Sequence, residues 1–306
     1  MAEGENTLDN LGGIIPALIT PFDAEGRFSE SAGERLLDRL YRAGVGGIYV
    51  GGTTGEGMLQ TVEERKLATE FALRFSPAGS QVIVHVGAAC LDEAIELARH
   101  AARSGAAAIS SLPPAGPFSF EDIKSYYRLL AAATDLPFLV YHMPAGGSSV
   151  NTLAQILELC AIPGVVGLKF TDHDMHKLSE LKRSGARVFN GYDEVLCAGL
   201  LMGADGGIGS FYNVAPGLFL RVWEEAREGR WEEARQAQFR VNELITLTLR
   251  FPLFGALKAI LGWSGIDCGQ VRGPRRGLTP EELKQLRSMI AAAGLESAVG
   301  IGRSGV

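Results

Sequence analysis

The chain of 306 residues is 46% hydrophobic and 21% charged, enough to bury a sizeable core as one domain or two. A formal net charge of −6, without any basic block or aromatic–basic interleaving, argues against a nucleic-acid surface. No apolar run reaches the roughly 18 residues of a membrane span. The first ten residues are acidic and polar with no apolar leader core. Cys90, Cys160, Cys197 and Cys268 lie far apart and form no C-x-x-C pair, which fits reduced thiols better than a disulfide frame or a zinc site. A cytoplasmic protein is the expectation.

After a polar tail over 1–10, short apolar runs alternate with amphipathic stretches. The runs are Ile14 to Ile19, Gly47 to Val50, Val82 to Val86, Ala107 to Ser110, Phe138 to Tyr141, Val165 to Lys169, Val188 to Asn190 and Gly206 to Ile208. Helical patterns begin near Ser29, Thr61, Leu91, Ser119, Asn151, Asp174, Glu194 and Ala215. Two of them open on capping-box spacings, Thr61-Val62-Glu63-Glu64 and Ser119-Phe120-Glu121-Asp122. Eight strand–helix units with no hairpin turns predict parallel strands joined by helical crossovers, and eight closes a barrel. An open doubly wound sheet would carry a glycine-rich loop after its first strand, where Thr20-Pro21-Phe22-Asp23 stands instead. The prediction is α/β, a (β/α)8 TIM barrel over 11–228. A three-helix extension over 229–298 and a frayed tail over 299–306 complete the chain.

In a parallel barrel the working residues sit at the C-terminal strand ends. The second strand ends in Gly51-Gly52-Thr53-Thr54-Gly55-Glu56-Gly57, either an anion nest built from N–H groups and two hydroxyls or a plain tight turn. It lacks the Gly-Lys-Ser/Thr ending of a nucleotide loop. Tyr141, ending the fifth strand, is either a phenol in a site or a core tyrosine with its hydroxyl at the rim. Lys169 ends the sixth strand, where a charge is costly to bury; taken alone, a lysine reaching past the strand end to water is the commoner arrangement. The seventh strand leads into Asn190-Gly191-Tyr192-Asp193-Glu194, acids that cap a helix or hold a ligand. The eighth, Gly206-Gly207-Ile208-Gly209-Ser210, permits close backbone approach. The ligand-type run Asp172-His173-Asp174-Met175-His176 lies at a helix entry, and a metal site there would want further ligands from other strand ends. His85 and His142 read as packing or supporting residues, and no G-x-S-x-G elbow backs a serine triad.

Gly-Thr-Thr-Gly-Glu, Tyr-x-x-Pro, Gly-Leu-Lys and Gly-Ala-Asp-Gly-Gly-Ile-Gly-Ser, in that order from about Gly13 to Leu278, resemble the superfamily of N-acetylneuraminate lyase and dihydrodipicolinate synthase, class I aldolases that form a Schiff base with pyruvate. The lyase branch is the more similar: Phe189 to Glu194 and Gly203 to Ser210 resemble its sugar-acid segments. After Pro144 the chain has Ala145, Gly146 and Gly147, where the synthase branch has an arginine. Two departures stand out. Pro113-Pro114-Ala115-Gly116-Pro117-Phe118 lacks the aromatic pair that sends a tyrosine into a neighbouring subunit's site, and Phe211 follows Ser210 where a lyase commonly has threonine.

The resemblance implies that Lys169 attacks the C2 ketone of a 2-oxo acid as the free amine and that Tyr141 shuttles protons. Thr53 and Thr54 would hold the carboxylate, while Thr171, Gly191, Asp193, Glu194 and Ser210 would meet the polyol. It implies cleavage of N-acetylneuraminate to N-acetylmannosamine and pyruvate, no cofactor or metal, and a homotetramer. Other members of the superfamily, a synthase or an aldolase for 2-keto-3-deoxy sugar acids, are the nearest alternatives. A silent sugar-acid binding protein is the alternative from another class. The expected partners are a small 2-oxo acid and a sugar aldehyde, with no nucleic acid and no membrane.

Overall fold

The Val- and Ile-rich runs fold as strands covered on both faces, as parallel strands under helices must be. The computed structural model describes residues 11–146 and 149–302. Its strands and helices alternate as β1 (Gly13–Pro16), α1 (Glu30–Ala43), β2 (Gly47–Val50), α2 (Val62–Phe75), β3 (Gln81–His85), α3 (Leu91–Ser104), β4 (Ala108–Ser111) and α4 (Phe120–Ala131). The second half repeats the pattern: β5 (Phe138–His142), α5 (Leu153–Cys160), β6 (Val165–Phe170), α6 (Met175–Arg183), β7 (Arg187–Asn190), α7 (Leu196–Leu201), β8 (Gly206–Gly209) and α8 (Pro216–Arg227). The sheet runs β1-β8-β7-β6-β5-β4-β3-β2, all parallel. One parallel bridge, Ala17 to Tyr49, closes it between β1 and β2, where the Leu18 N–H donates to the Tyr49 carbonyl at 2.8 Å. This is the predicted (β/α)8 barrel.

Two apolar layers hold the barrel together. Ile15, Tyr49, Ile83, Ala108, Leu139, Tyr141, Phe189 and Ile208 fill its interior. Their strand neighbours, among them Ile14, Ile48, Val50, Val84, Ile109, Val140 and Leu168, pack outward against the helices. Both predicted capping boxes form. In α2 the Glu64 N–H donates to Thr61 Oγ1 at 3.2 Å, and Glu64 Oε2 accepts from the Thr61 N–H at 2.8 Å. Ser119 and Asp122 do the same in α4. Each such cap is worth about 1 kcal/mol.

The first strand stops at Pro16, not at Ile19 as its apolar run predicted. Past Pro16 the Ala17 and Leu18 N–H groups switch from the Gly209 carbonyl to the Tyr49 carbonyl, at 2.9 and 2.8 Å, and the Ile19 N–H then leaves the sheet for Asn213 Oδ1 at 3.1 Å.

The extension consists of α9 (Trp231–Thr248), α10 (Leu253–Trp263) and α11 (Pro280–Ala292), with a 111° bend between α9 and α10. It does not end where a frayed tail was expected. Val299 and Ile301 are buried, and Arg39 donates to the Val299 carbonyl at 2.8 Å. Two apolar residues of the expected tail dock on the core. The predicted tails at 1–10 and 303–306 lie outside the described residues. No single helix among the described residues is long and apolar enough to cross a membrane.

Candidate active site

A β-bulge decides what β6 presents to the barrel interior. Phe138 of β5 pairs with Val165, but the next residue, Leu139, pairs with Gly167, so Val166 is an extra residue. Val165 packs outward with the helices and Val166 inward. After the bulge the alternation is reset: Leu168 and Phe170 point outward, and Lys169 faces the interior opposite Tyr141. Unbroken alternation from Val165 would have turned Lys169 toward the helices, because a one-residue slip reverses every side chain. Gly167 is needed at this point, since a Cβ there would lie 2.0 Å from the Arg187 carbonyl oxygen on β7.

Lys169 is 4% exposed. Its Nζ lies 4.1 Å from the Tyr141 ring centroid and 4.9 Å from that of Tyr49. Among the described residues it makes no hydrogen bond or ion pair, so no protein group occupies the nitrogen. The Tyr141 hydroxyl is nearly as uncommitted, donating only to the weak acceptor Met143 Sδ at 3.5 Å. Tyr49 and His85 wall in these two residues, with the Tyr141 ring edge-on to both at 6.2 and 6.1 Å. Tyr49 donates to Ser110 Oγ at 3.0 Å. His85 Nε2 accepts the Leu112 N–H at 3.1 Å, and burial, aided by the Arg65 and Lys169 charges, pushes its pKa well below the ordinary value. A neutral imidazole results, joining two strand-end loops.

The glycine-rich loop folds over on itself, and a Cβ at Gly57 would fall 1.8 Å from the Gly51 carbonyl oxygen. Thr53 is half-buried and Thr54 buried. Thr54 Oγ1 lies 2.7 Å from Ser210 Oγ, so a residue expected at the carboxylate and one expected at the polyol share a hydrogen bond.

The residues expected around a polyol gather at the ends of β6, β7 and β8. Asp193 is 6% exposed; its Oδ2 accepts the Phe211 N–H at 2.8 Å, while its Oδ1 has no hydrogen-bond partner. Phe211, the departure noted after Ser210, is buried and serves here through its backbone. Thr171 Oγ1 and Asn190 Oδ1 are likewise buried without partners. Burying such groups unpaired costs about 1–3 kcal/mol each, which a site meant for hydroxyls recovers when it is filled. Glu194 is half-buried, and its carbonyl accepts from Asn242 Nδ2 at 3.1 Å. Gly191 has already committed its N–H to the Phe170 carbonyl at 2.8 Å, which leaves its carbonyl for a ligand.

Close backbone approach does occur at β8, but the approaching groups are protein. A Cβ at Gly209 would meet Asp193 Oδ1 at 1.8 Å, and one at Gly206 would meet the Gly13 carbonyl oxygen at 2.0 Å. The ligand-type run after β6 has structural duties. Asp174 caps α6 by accepting the Lys177 N–H at 3.0 Å, Asp172 pairs with His142 at 3.2 Å and Lys177 at 3.4 Å, and His173 stacks on Tyr192 at 4.2 Å.

Burial raises the Asp193 carboxyl from its ordinary 3.8 to about 7; the Phe211 N–H and the Lys169 charge oppose the rise, and Glu194 adds to it. The folded chain therefore keeps a proton that the unfolded chain has released. The resulting stability is present at acid pH and is lost as pH rises through about 7. Asp193→Asn is expected to melt progressively higher relative to the parent as pH goes from about 5 to about 8, an interval spanning that titration. A constant difference in melting temperature across the interval would refute the assignment.

The model of the dihydrodipicolinate synthetase family matches residues 10–293. The chain belongs to that family. Among its relatives, the N-acetylneuraminate lyase of Rhizobium meliloti strain 1021 is 38% identical over 284 residues, covering 92% of this chain and 95% of the relative. The N-acetylneuraminate lyase of Escherichia coli K12 is 35% identical over 288 residues, covering 93% and 96%. Among solved family structures, the sialic acid aldolase of Ruminococcus gnavus superposes with a TM-score of 0.88 at 30% identity, covering 94% of this chain and 99% of that one. The same aldolase has been solved as a catalytic lysine mutant. The barrel and its C-terminal helices are thus those of the dihydrodipicolinate synthetase family.

Proposed function

We propose that the chain is a carbon–carbon lyase of the Schiff-base type that cleaves N-acetylneuraminate to N-acetylmannosamine and pyruvate. The observation that carries the reading is the in-register pair of Tyr141 and Lys169, an amine and a phenol side by side at the mouth of the barrel with almost no competing partners. The lyase relatives, and the catalytic lysine of the Ruminococcus gnavus aldolase, support it.

Lys169 Nζ adds to the C2 carbonyl, and loss of water leaves a protonated imine. The C4 hydroxyl gives up its proton, with Tyr141 as the base and the substrate carboxylate assisting. The C3–C4 bonding pair then moves onto C2–C3 as the imine nitrogen takes up the displaced electrons, and the aldehyde departs from an enamine. Protonation at C3 and hydrolysis release pyruvate and restore the amine. The imine is itself the electron sink, so the chemistry draws on no metal or organic cofactor. Thr53 and Thr54 hold the carboxylate. Asp193, Glu194, Thr171, Ser210 and the Gly191 carbonyl take the polyol, each offering oxygen acceptors to its hydroxyls. A cytoplasmic homotetramer belongs to the same reading, with exposed Leu201, Trp231 and Phe239 as apolar surface for subunit contact.

Borohydride with pyruvate is expected to add a stable mass to the peptide containing Lys169. Pyruvate release is expected to be faster from N-acetylneuraminate than from a panel of 2-keto-3-deoxy sugar acids. An unmodified Lys169 under turnover conditions would sink the mechanism, and preference for another acid would move the substrate assignment.

A further inference from the structure

Glu56, the last acid of the glycine-rich loop, is the one non-glycine residue with a left-handed backbone among those described, at φ 59°. Its side chain is fully buried and turned toward the C-terminal extension. Lys258 Nζ on α10 lies 3.0 Å from its Oε1, and the Arg272 backbone N–H donates to Oε2 at 2.8 Å. Arg275 Nη1 stands 3.7 Å from the same Oε2.

Arg275 also reaches the other end of the loop. Both of its terminal nitrogens donate to the Thr53 carbonyl at 3.2 Å, and its guanidinium lies 3.9 Å from the centre of the Phe254 ring. Arg272 is separately matched by a two-pronged pair with Glu64 at 2.6 and 2.7 Å. Around Glu56 this leaves two cations to one anion, a net positive charge beside the Thr53–Thr54 peptide. A guanidinium on a peptide carbonyl polarises the whole peptide unit, so its N–H becomes a stronger donor. That N–H belongs to Thr54, and among the described residues it has no acceptor.

We propose that Glu56 and Arg275 are positioning residues for the carboxylate half of the site: the extension grips the loop so that the Thr54 N–H meets the carboxylate of the 2-oxo acid. This rests on the carboxylate placement proposed above. The extension thereby becomes part of the substrate site, although none of its charged groups touches the reacting carbon.

The test is borohydride trapping of pyruvate at Lys169 as a function of pyruvate concentration, with the synthetic reaction run at saturating pyruvate to read the aldehyde. Arg275→Met is expected to raise the half-saturating pyruvate concentration about tenfold, the scale of losing a charge-assisted contact, and to leave the aldehyde's in place. Arg275→Lys is expected to resemble it, because an ammonium cannot fork across one carbonyl. Glu56→Gln weakens the hold of Lys258 and the Arg272 N–H on the loop, so although it adds to the net positive charge it is expected to move pyruvate in the same direction, and Glu56→Gln with Lys258→Met to move it no further. Arg276→Met, which removes an exposed pair with Glu282, is the control. Equal shifts for pyruvate and aldehyde, or an unmoved pyruvate value with the fold intact by circular dichroism, would overturn the proposal. Failure of the parent protein to trap pyruvate would instead count against the Schiff-base reading itself.

Discussion

Lys169→Ala is expected to lower pyruvate release from N-acetylneuraminate by roughly 10⁴- to 10⁶-fold, the range seen when a covalent nucleophile is removed. Among the described residues no second amine stands in the barrel interior to take its place. Lys258 is committed to Glu56 and to the Gln270 carbonyl, while Lys177 and Lys182 are paired with aspartates outside the barrel interior. The fold should survive, since Lys169 makes no hydrogen bond or ion pair that truncation would break among the described residues. A coupled assay for pyruvate, run beside a thermal melt, separates chemistry from folding. Residual activity above about 1% of the parent in a folded variant would be incompatible with a covalent role, given the size of the expected loss.

Tyr141→Phe is expected to reduce turnover by about 10²- to 10⁴-fold, the range for a positioned acid–base group. Stability should change by less than about 1 kcal/mol, because the hydroxyl gives up only a weak bond to sulfur and leaves no strong group unpaired. The ring itself remains, with its edge-on contacts to Tyr49 and His85 and its face toward Lys169. Activity and stability should therefore part company in this variant. Slow but complete trapping of pyruvate by borohydride is expected, because imine formation keeps its nucleophile and loses only its proton shuttle. A drop in turnover of less than about threefold would remove Tyr141 from the mechanism, since acid–base catalysis contributes far more than that.

Much of this site could be located in the chain before it folded. Lys169 and Tyr141 stand at the ends of successive apolar runs, and consecutive strands of a parallel barrel are neighbours. Thr53 and Thr54 sit among glycines that allow a tight turn with close-set N–H groups. Other parts gave little local signal. Tyr49 lay within a run that looked like ordinary core, yet its ring faces the lysine. Glu56 looked like the end of a loop motif, and its partners come more than 200 residues later in sequence. Arg275 belongs to a stretch of glycines, prolines and arginines with no periodicity, and only the docking of the extension brings it to the Thr53 carbonyl. The glycines of β8 were legible as sites of close approach, but not that β1 and Asp193 are what approach them.

By itself the sequence determined the number of strand–helix units, and with it the barrel. The alternation of apolar runs and amphipathic helices is a local property, and with no glycine-rich loop after the first strand to mark an open sheet, eight such units close into a barrel. It also placed an amine and a phenol at strand ends. The direction in which the amine points was decided only by tertiary structure. A single extra residue at Val166, with Gly167 pressed against the Arg187 carbonyl, resets the alternation of β6 and turns Lys169 from the helix layer into the barrel. A bulge is a mismatch between two strands, so it exists only once β5 and β7 lie on either side. The pattern of one strand alone cannot contain it.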